Sequence, residues 1–416
     1  MFGTNPGEWR RALGALALAL AACGPPPPPP VAPTPPESVP GPLRLLSHAD
    51  PPTDLLVFDN RQSRGLVASL GPVLDAVNRA RDPADARVAL TILQWRRDRG
   101  AARVEASATP IERIEVESRF DVWLQDVAEA AFAPRAGGDL GLVLVAPSRG
   151  HGLERFAPEL ALRWGARWVR LPRSAPGAAS GGGNVEVLPS DLLLLGSTVG
   201  DSMSSFLLDR GYRTHHVLLD TSWLRVGHVD EILSHVVTGA GPCDFSLVRA
   251  APALAVELAR ADPDPPRWLR RKSETFIRQQ LVLDARIAAA ASEVSHALLG
   301  GGCSSVPVLR VPVLFRCEGD AESPARCTSE RPNSVNMTVL DRHLLVPDPR
   351  YAPFAQAARR ALEAHGQVVH LLDADSQHDR EGGIHCATAV RRVPRGQGPR
   401  PAPQESESAI PARTIR

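Results

Sequence analysis

A chain of 416 residues with 43% hydrophobic and 22% charged side chains can bury one large core or two ordinary ones, which excludes a protein disordered throughout. Its 47 basic and 46 acidic residues leave a net charge of +1, so no global field draws it to nucleic acid and partners have to be recognised in a local site. The 40 prolines crowd toward the two ends, which marks those ends as linker and tail.

In chain order, Arg10 and Arg11 precede an apolar run from Ala12 to Ala22, too short to span a bilayer but the right length for the core of a secretory signal. The run ends Leu20-Ala21-Ala22-Cys23, which resembles a bacterial lipoprotein lipobox. That resemblance implies cleavage before Cys23 and lipid on Cys23. Gly24 and the following prolines read as a stiff extended spacer. Residues 1–22 are therefore expected to be a signal peptide and 23–42 a lipidated linker. The exported chain would be membrane-anchored, facing periplasm or cell surface. In such a compartment thiols can oxidise, so Cys243, Cys303, Cys317 and Cys327 offer up to two bridges in three pairings, most plausibly including Cys317 with Cys327. Cys386 is left over as a free thiol.

Strands are predicted at Leu55 to Phe58, Val88 to Leu93, Ile111 to Glu117 and Gly141 to Val145, with an amphipathic helix from Gly71 to Arg81. The glycines of Ser180 to Gly183 form a tight loop feeding a strand, and neither a lysine nor a helix follows them as a phosphate cradle needs. Further strands are expected at Leu192 to Leu195, His216 to Leu219, the Trp223 stretch, Val306 to Phe315, Val335 to Leu340 and Val368 to Leu372. Helices are expected at Ser202 to Arg210, Ala250 to Ala261, Pro266 to Leu299 and Phe354 to His365. Short strands alternate with helices, so the class is α/β. The composition after Arg392 predicts a disordered tail, with residues 43–395 as the folded domain and 396–416 as tail.

The chemistry concentrates in Trp223-Leu-Arg-Val-Gly227-His228-Val-Asp230-Glu231. On a strand, His228 and Asp230 would share one face, the imidazole moving protons while the carboxylate holds a cation. With Asp126 and Cys386 the set becomes two carboxylates, a histidine and a thiol. Two carboxylates suit a guanidinium, whose N–H donors can be taken in charge-assisted pairs, and a thiolate beside them can attack its central carbon. His215, His216, His228 and His235 lie close in sequence but lack helical metal-ligand spacing, which argues against zinc.

Five ordered motifs also resemble the catalytic domain of the protein-arginine deiminases: Trp123-Leu-Gln-Asp126, Gly183-Asn184-Val-Glu186-Val, the His228 stretch, Val335-Asn336-Met337 with its following Leu-x-Val-Pro, and His385-Cys386-x-Thr-x-Val-Arg-Arg. The resemblance implies a five-bladed α/β propeller of the guanidine-modifying (pentein) type. It implies that Asp126 and Asp230 bind the guanidinium, His228 is acid and base, and Cys386 is the nucleophile. Trp123 would line the substrate stem and Arg380 would stand at the pocket mouth, while of the two family arginines near the substrate's peptide backbone this chain has Arg149 at one position and His151 at the other. The resemblance further implies a calcium ion held by Gln125, Glu129 and Glu186 with the carbonyls of Gly182 and Val185. A second calcium site does not carry over, because its acidic positions fall on Val127, Ala146 and Pro147. The expected reaction is hydrolysis of peptidyl arginine to citrulline and ammonia through a covalent thiouronium. Alternatives are a hydrolase or amidinotransferase acting on a small guanidine, or a non-catalytic guanidinium-binding lipoprotein.

Overall fold

Leu66, Val67, Leu70, Val73, Leu74 and Val77 recur at three- and four-residue spacing, and in the computed structural model they line the buried face of helix α1, Arg64–Ala80. The helix begins before the predicted Gly71 because that stripe continues through Pro72, whose ring points to solvent. The structure describes residues 39, 41–83, 85–95, 102–104, 107–116, 122–135, 140–148, 156–173 and 181–395. The expected signal peptide, Cys23 and nearly all of the linker lie outside them, as do Arg149, His151 and the tail from 396.

The described strands fall into five mixed sheets and a hairpin. The first joins β2 (Pro52–Asp59), β3 (Ala89–Trp95), β4 (Ile111–Val116) and β19 (Thr388–Arg392) in the order β19-β2-β3-β4. The second has the order β1-β5-β6-β7, from β1 (Arg44–Leu45), β5 (Glu129–Pro134), β6 (Leu140–Ser148) and β7 (Arg167–Arg173). The next two are β10-β9-β8, from β8 (Val185–Val187), β9 (Leu193–Gly196) and β10 (His216–Leu219), and β11-β12-β13, from β11 (Leu233–Val237), β12 (Phe245–Ala250) and β13 (Val308–Val311). The fifth is β16-β17-β18, from β16 (Thr338–Leu340), β17 (His343–Pro347) and β18 (Val368–Leu372), and the hairpin pairs β14 (Phe315–Glu318) with β15 (Ala325–Ser329). Each of the five combines an antiparallel pairing with a parallel one, and described helices supply the crossovers of every parallel pair except β3 with β4, whose connection lies partly outside the described residues. Among the described residues no sheet closes on itself. The α/β class is as expected.

Helix α2, Phe156–Trp164, turns Phe156, Leu160 and Trp164 into the core shared with β6. Helix α3, Asp201–Leu207, is shorter than expected, ending in an irregular turn through Gly211, whose φ is +121°. Helix α4, Pro252–Ala261, takes its proline at the first turn, where a missing N–H costs little. The predicted helix from Pro266 to Leu299 is two pieces, a single turn at Arg267–Arg270 and then α5, Glu274–Gly300. The break is set by Ser273, whose hydroxyl accepts the Phe276 N–H at 3.1 Å and starts α5 afresh. Helix α6, Ala352–Glu363, buries Phe354, Ala358 and Leu362 along one stripe.

Three strand predictions need correction. Val306 to Phe315 is divided between β13 and β14, because Pro312 cannot donate to a ladder. Of Val335 to Leu340 only Thr338–Leu340 is strand, since Asn333 Oδ1 accepts the Val335 N–H at 3.0 Å and turns the backbone. The Trp223 stretch is no strand. Trp223 O accepts the Cys327 N–H and Cys327 O accepts the Arg225 N–H, both at 2.9 Å, after which Gly227 at φ +84° bends the chain into a 3-10 turn, Val229–Glu231. Disulfides join Cys243 to Cys303 and Cys317 to Cys327, and Cys386 is the free thiol among the described residues.

Candidate active site

Four short turns, each too tight to have been a regular element, carry the site. Trp123 precedes the 3-10 turn Leu124–Asp126, which leads Asp126 inward to burial. Gly182–Asn184 is a second such turn, and Val229–Glu231, with His228 extended just before it, is a third. Cys386 lies in the single helical turn Ile384–Ala387, which feeds directly into β19. Strand β19 pairs with β2, placing the nucleophile candidate beside the N-terminal sheet.

The turns converge because glycines let them approach. A Cβ on Gly183 would stand 2.6 Å from both Asp230 Oδ2 and His228 Nδ1, so only glycine leaves that space to the two side chains. A Cβ on Gly382 would lie 2.4 Å from the Trp123 ring. His228 N–H donates to Glu231 Oε1 at 3.1 Å, which pins the entrance of the turn. His228 and Asp230 therefore share a side as expected, but through turn geometry and not through strand alternation.

Cys386 Sγ lies 3.3 Å from Asp230 Oδ2, and ligand atoms of His228, Asp230 and Cys386 all fall within 4.8 Å of one another. Burial and then the charges of Asp230 and Asp126 push the Cys386 thiol well above its ordinary range. Asp126 thus lies within electrostatic reach of Sγ. This is a pocket poised for a cation: two carboxylates, a neutral thiol and an imidazole, with Trp123 partly buried beside them.

Arg380 is exposed and donates to Gln62 Oε1 at 2.6 Å, and the neighbouring Glu381, at φ +69°, takes the Arg225 Nε–H at 2.8 Å. Arg149 and His151 fall outside the described residues.

Gln125, Glu129, Val185 and Glu186 line one cavity of about 70 Å³. A Cβ on Gly182 would stand 2.2 Å from Gln125 O and 2.8 Å from Glu129 Oε1, so the five expected calcium-binding residues do meet. Glu129 Oε1 is buried with no hydrogen-bond partner. Burial, then Glu186, Asp126 and Asp230, push Glu129 well upward, and burial first raises Glu186 to about 7. Crowded anionic oxygens with an orphaned acceptor fit a hard cation.

Two residues quoted in the motifs but given no role also reach the centre. His385 Nδ1 is 2.8 Å from Asp230 Oδ2, and its Nε2 is 3.7 Å from Glu186 Oε1. Burial pulls its imidazole down, but Asp230 and Glu186 outweigh this and the net shift is upward. Asn336 Nδ2 is 3.2 Å from Cys386 Sγ. Position beside the cysteine was the available signal for His385; nothing local marked Asn336. The remaining histidines of the excluded zinc set stand apart: His215 contacts Ser190 O, His216 contacts Tyr212 O, and His235 stacks on His48 at 4.2 Å between ring centroids.

The family model for protein-arginine deiminase matches residues 272–397, which contain Asn336, His385 and Cys386. Protein-arginine deiminase type-4 of Rattus norvegicus is 26% identical over 332 residues, 67% of this chain and 48% of the relative. The chain carries a protein-arginine deiminase-like domain. Type-1 of Homo sapiens is likewise 26% identical, over 322 residues, 67% of this chain and 47% of the relative. The chain thus spans about half the length of the curated relatives it matches. In fold, the deiminase-like domain is similar to the agmatine deiminase of C. jejuni, with a TM-score of 0.53 at 10% identity across 85% of this chain and 96% of that one.

Proposed function

We propose that the deiminase-like domain hydrolyses the guanidinium of peptidyl arginine to citrulline and releases ammonia. The observation that carries the reading is the meeting of Cys386 Sγ, Asp230 and His228 within 4.8 Å, with Asp126 in electrostatic reach. Asp126 and Asp230 take the guanidinium N–H groups, and the arriving positive charge stabilises the thiolate that the empty pocket disfavours. His228 takes the proton of the Cys386 thiol as Sγ forms a bond to the guanidinium carbon. The C–N bond breaks as His228 gives a proton to the departing ammonia, leaving a thiouronium on Cys386. His228 next takes a proton from water, whose oxygen adds to the same carbon, and the C–S bond breaks to leave the ureido product. The similarity to curated protein-arginine deiminases supports a peptidyl substrate.

The five sheets support a five-bladed propeller around this centre. Gln125, Glu129 and Glu186, with the carbonyls of Gly182 and Val185, would hold one calcium ion. Bound there, it supplies positive charge that keeps Glu129 and Glu186 ionised. The Leu20 to Cys23 motif supports a lipid-anchored, exported protein, as do the two disulfides, which a reducing compartment would not keep. Among the described residues no helix is long and apolar enough to cross a membrane.

The test is incubation of the protein with an arginine-containing peptide, free arginine and agmatine, measuring ureido product and ammonia for each. We expect product from the peptide. Product from agmatine or free arginine alone would move the assignment to a small-guanidine hydrolase, and none from any would favour a binding protein.

A further inference from the structure

A buried thiolate between two carboxylates needs a donor. Asp230 Oδ2 stands 3.3 Å away as an acceptor, and Asp126 adds a second negative charge. His385, on the same turn as Cys386, gives its Nδ1 to Asp230, and His228 faces the pocket from the Val229–Glu231 turn. What reaches Sγ as a donor is the Asn336 side chain, with Nδ2 at 3.2 Å, and the Gly383 backbone amide.

The Asn336 amide has one orientation that satisfies both of its contacts. Its Oδ1 accepts the Cys386 backbone N–H at 3.3 Å, which leaves Nδ2 facing Sγ. Gly383 packs against it so closely that a Cβ there would lie 2.4 Å from Oδ1, and Asn336 is 2% exposed. The same turn reaches the acid–base segment, where Asn333 Nδ2 donates to Glu231 O at 2.7 Å. One turn, Asn333 to Asn336, thereby ties the His228 segment to the nucleophile.

We propose that Asn336 is a further catalytic residue: its side-chain N–H aims Cys386 Sγ at the guanidinium carbon and stabilises the sulfur anion once its proton has left. A neutral amide suits this task better than lysine or arginine, because a fixed positive charge at Sγ would repel the guanidinium that Asp126 and Asp230 attract. The proposal rests on Cys386 as nucleophile, but its deciding measurement, the alkylation midpoint, needs no substrate and stands whichever guanidine is turned over.

The test is the pH dependence of Cys386 alkylation by iodoacetamide, with the site read by mass spectrometry of the Cys386 peptide. Asn336→Ala should move the alkylation midpoint up by about one pH unit or more, the size of one hydrogen bond to a charged group. With a peptidyl arginine, kcat should fall about 10-fold while KM changes less than about twofold. Asn336→Ser, whose hydroxyl is too short to reach Sγ, should behave alike and carries the test if Asn336→Ala does not fold. Ser334→Ala removes a bond to Pro347 O from the same turn without touching Sγ, and should leave the midpoint in place. An unmoved midpoint in the Asn336 variants, or an equal shift in Ser334→Ala, would overturn the proposal.

Discussion

Asp230 Oδ2 stands 3.3 Å from Cys386 Sγ across 156 residues of sequence, a carboxylate facing the atom whose ionisation it opposes. In the proposed reaction the guanidinium would resolve the opposition by neutralising Asp230 as it arrives. In the free protein Asp230→Asn should therefore lower the Cys386 alkylation midpoint, by about one pH unit or more, while reducing turnover of a guanidinium substrate. Slower alkylation in Asp230→Asn would show that the carboxylate does not burden the thiol. Cys386→Ser should retain substrate binding, measured by calorimetry, and form no product.

His228→Ala should lose a factor of about 10² to 10⁴ in kcat, the usual contribution of a general acid–base residue. Binding of substrate should persist, since Asp126 and Asp230 remain. Rapid-quench detection of a covalent adduct on Cys386, measured beside steady-state product, checks which half of the reaction His228 serves.

Gly183→Ala would push a methyl group to 2.6 Å from Asp230 Oδ2 and His228 Nδ1. Displacing both by a fraction of an ångström should cost about 10²-fold in kcat/KM with the fold retained. Gly382→Ala moves Trp123 instead and should act chiefly on KM. Circular dichroism and steady-state kinetics separate these outcomes from simple unfolding.

Burial first pushes Glu186 up to about 7 and Glu231 up to about 8, from 4.5. A folded pKa above the unfolded value means a contribution present below about 4.5 and lost as pH rises through about 7 and 8. His235 acts oppositely: lowered by burial first to about 3, it contributes above 6.5 and loses that as pH falls. Above pH 6.5 His385, which burial lowers but Asp230 and Glu186 raise on balance, adds to the carboxylates in the same direction. The metal-free protein should thus show a thermal midpoint that falls by several degrees between pH about 6.5 and about 8.5. Calcium should raise the midpoint most at the alkaline end, and elemental analysis should find one ion. No calcium effect at pH about 8.5 would reject the site.

Cys23→Ser should release the protein to a soluble fraction and abolish incorporation of labelled palmitate. Unchanged membrane association in that variant would remove the anchor.

Local sequence determined a good part of this molecule. The three- and four-residue spacing of Leu66 to Val77 made α1 legible, and the short apolar runs around Leu55, Leu90 and Leu194 became strands, because burial of one stripe or face is a local property of the chain. The chemical inventory was legible too, since Asp126, His228, Asp230 and Cys386 are the residue types that guanidinium chemistry requires.

Tertiary structure decided the geometry. The Trp223 stretch reads as a strand in isolation, yet the backbone of Cys327 and the bend at Gly227 make it a turn, and a contact across about a hundred residues leaves no local trace. Asn336 shows the same limit. An asparagine in a turn is ordinary, and it acquires its contact with Cys386 Sγ only when the Asn333 turn and the Ile384–Ala387 turn pack together. Burial and the crowding that together raise Glu129 likewise come from the packed chain, with Glu186 brought in by β8 and Asp126 and Asp230 by two separate turns. Side-chain type follows from sequence, but the potential at each side chain is the sum of its neighbours' charges and of the water they exclude, and only the packed chain sets those.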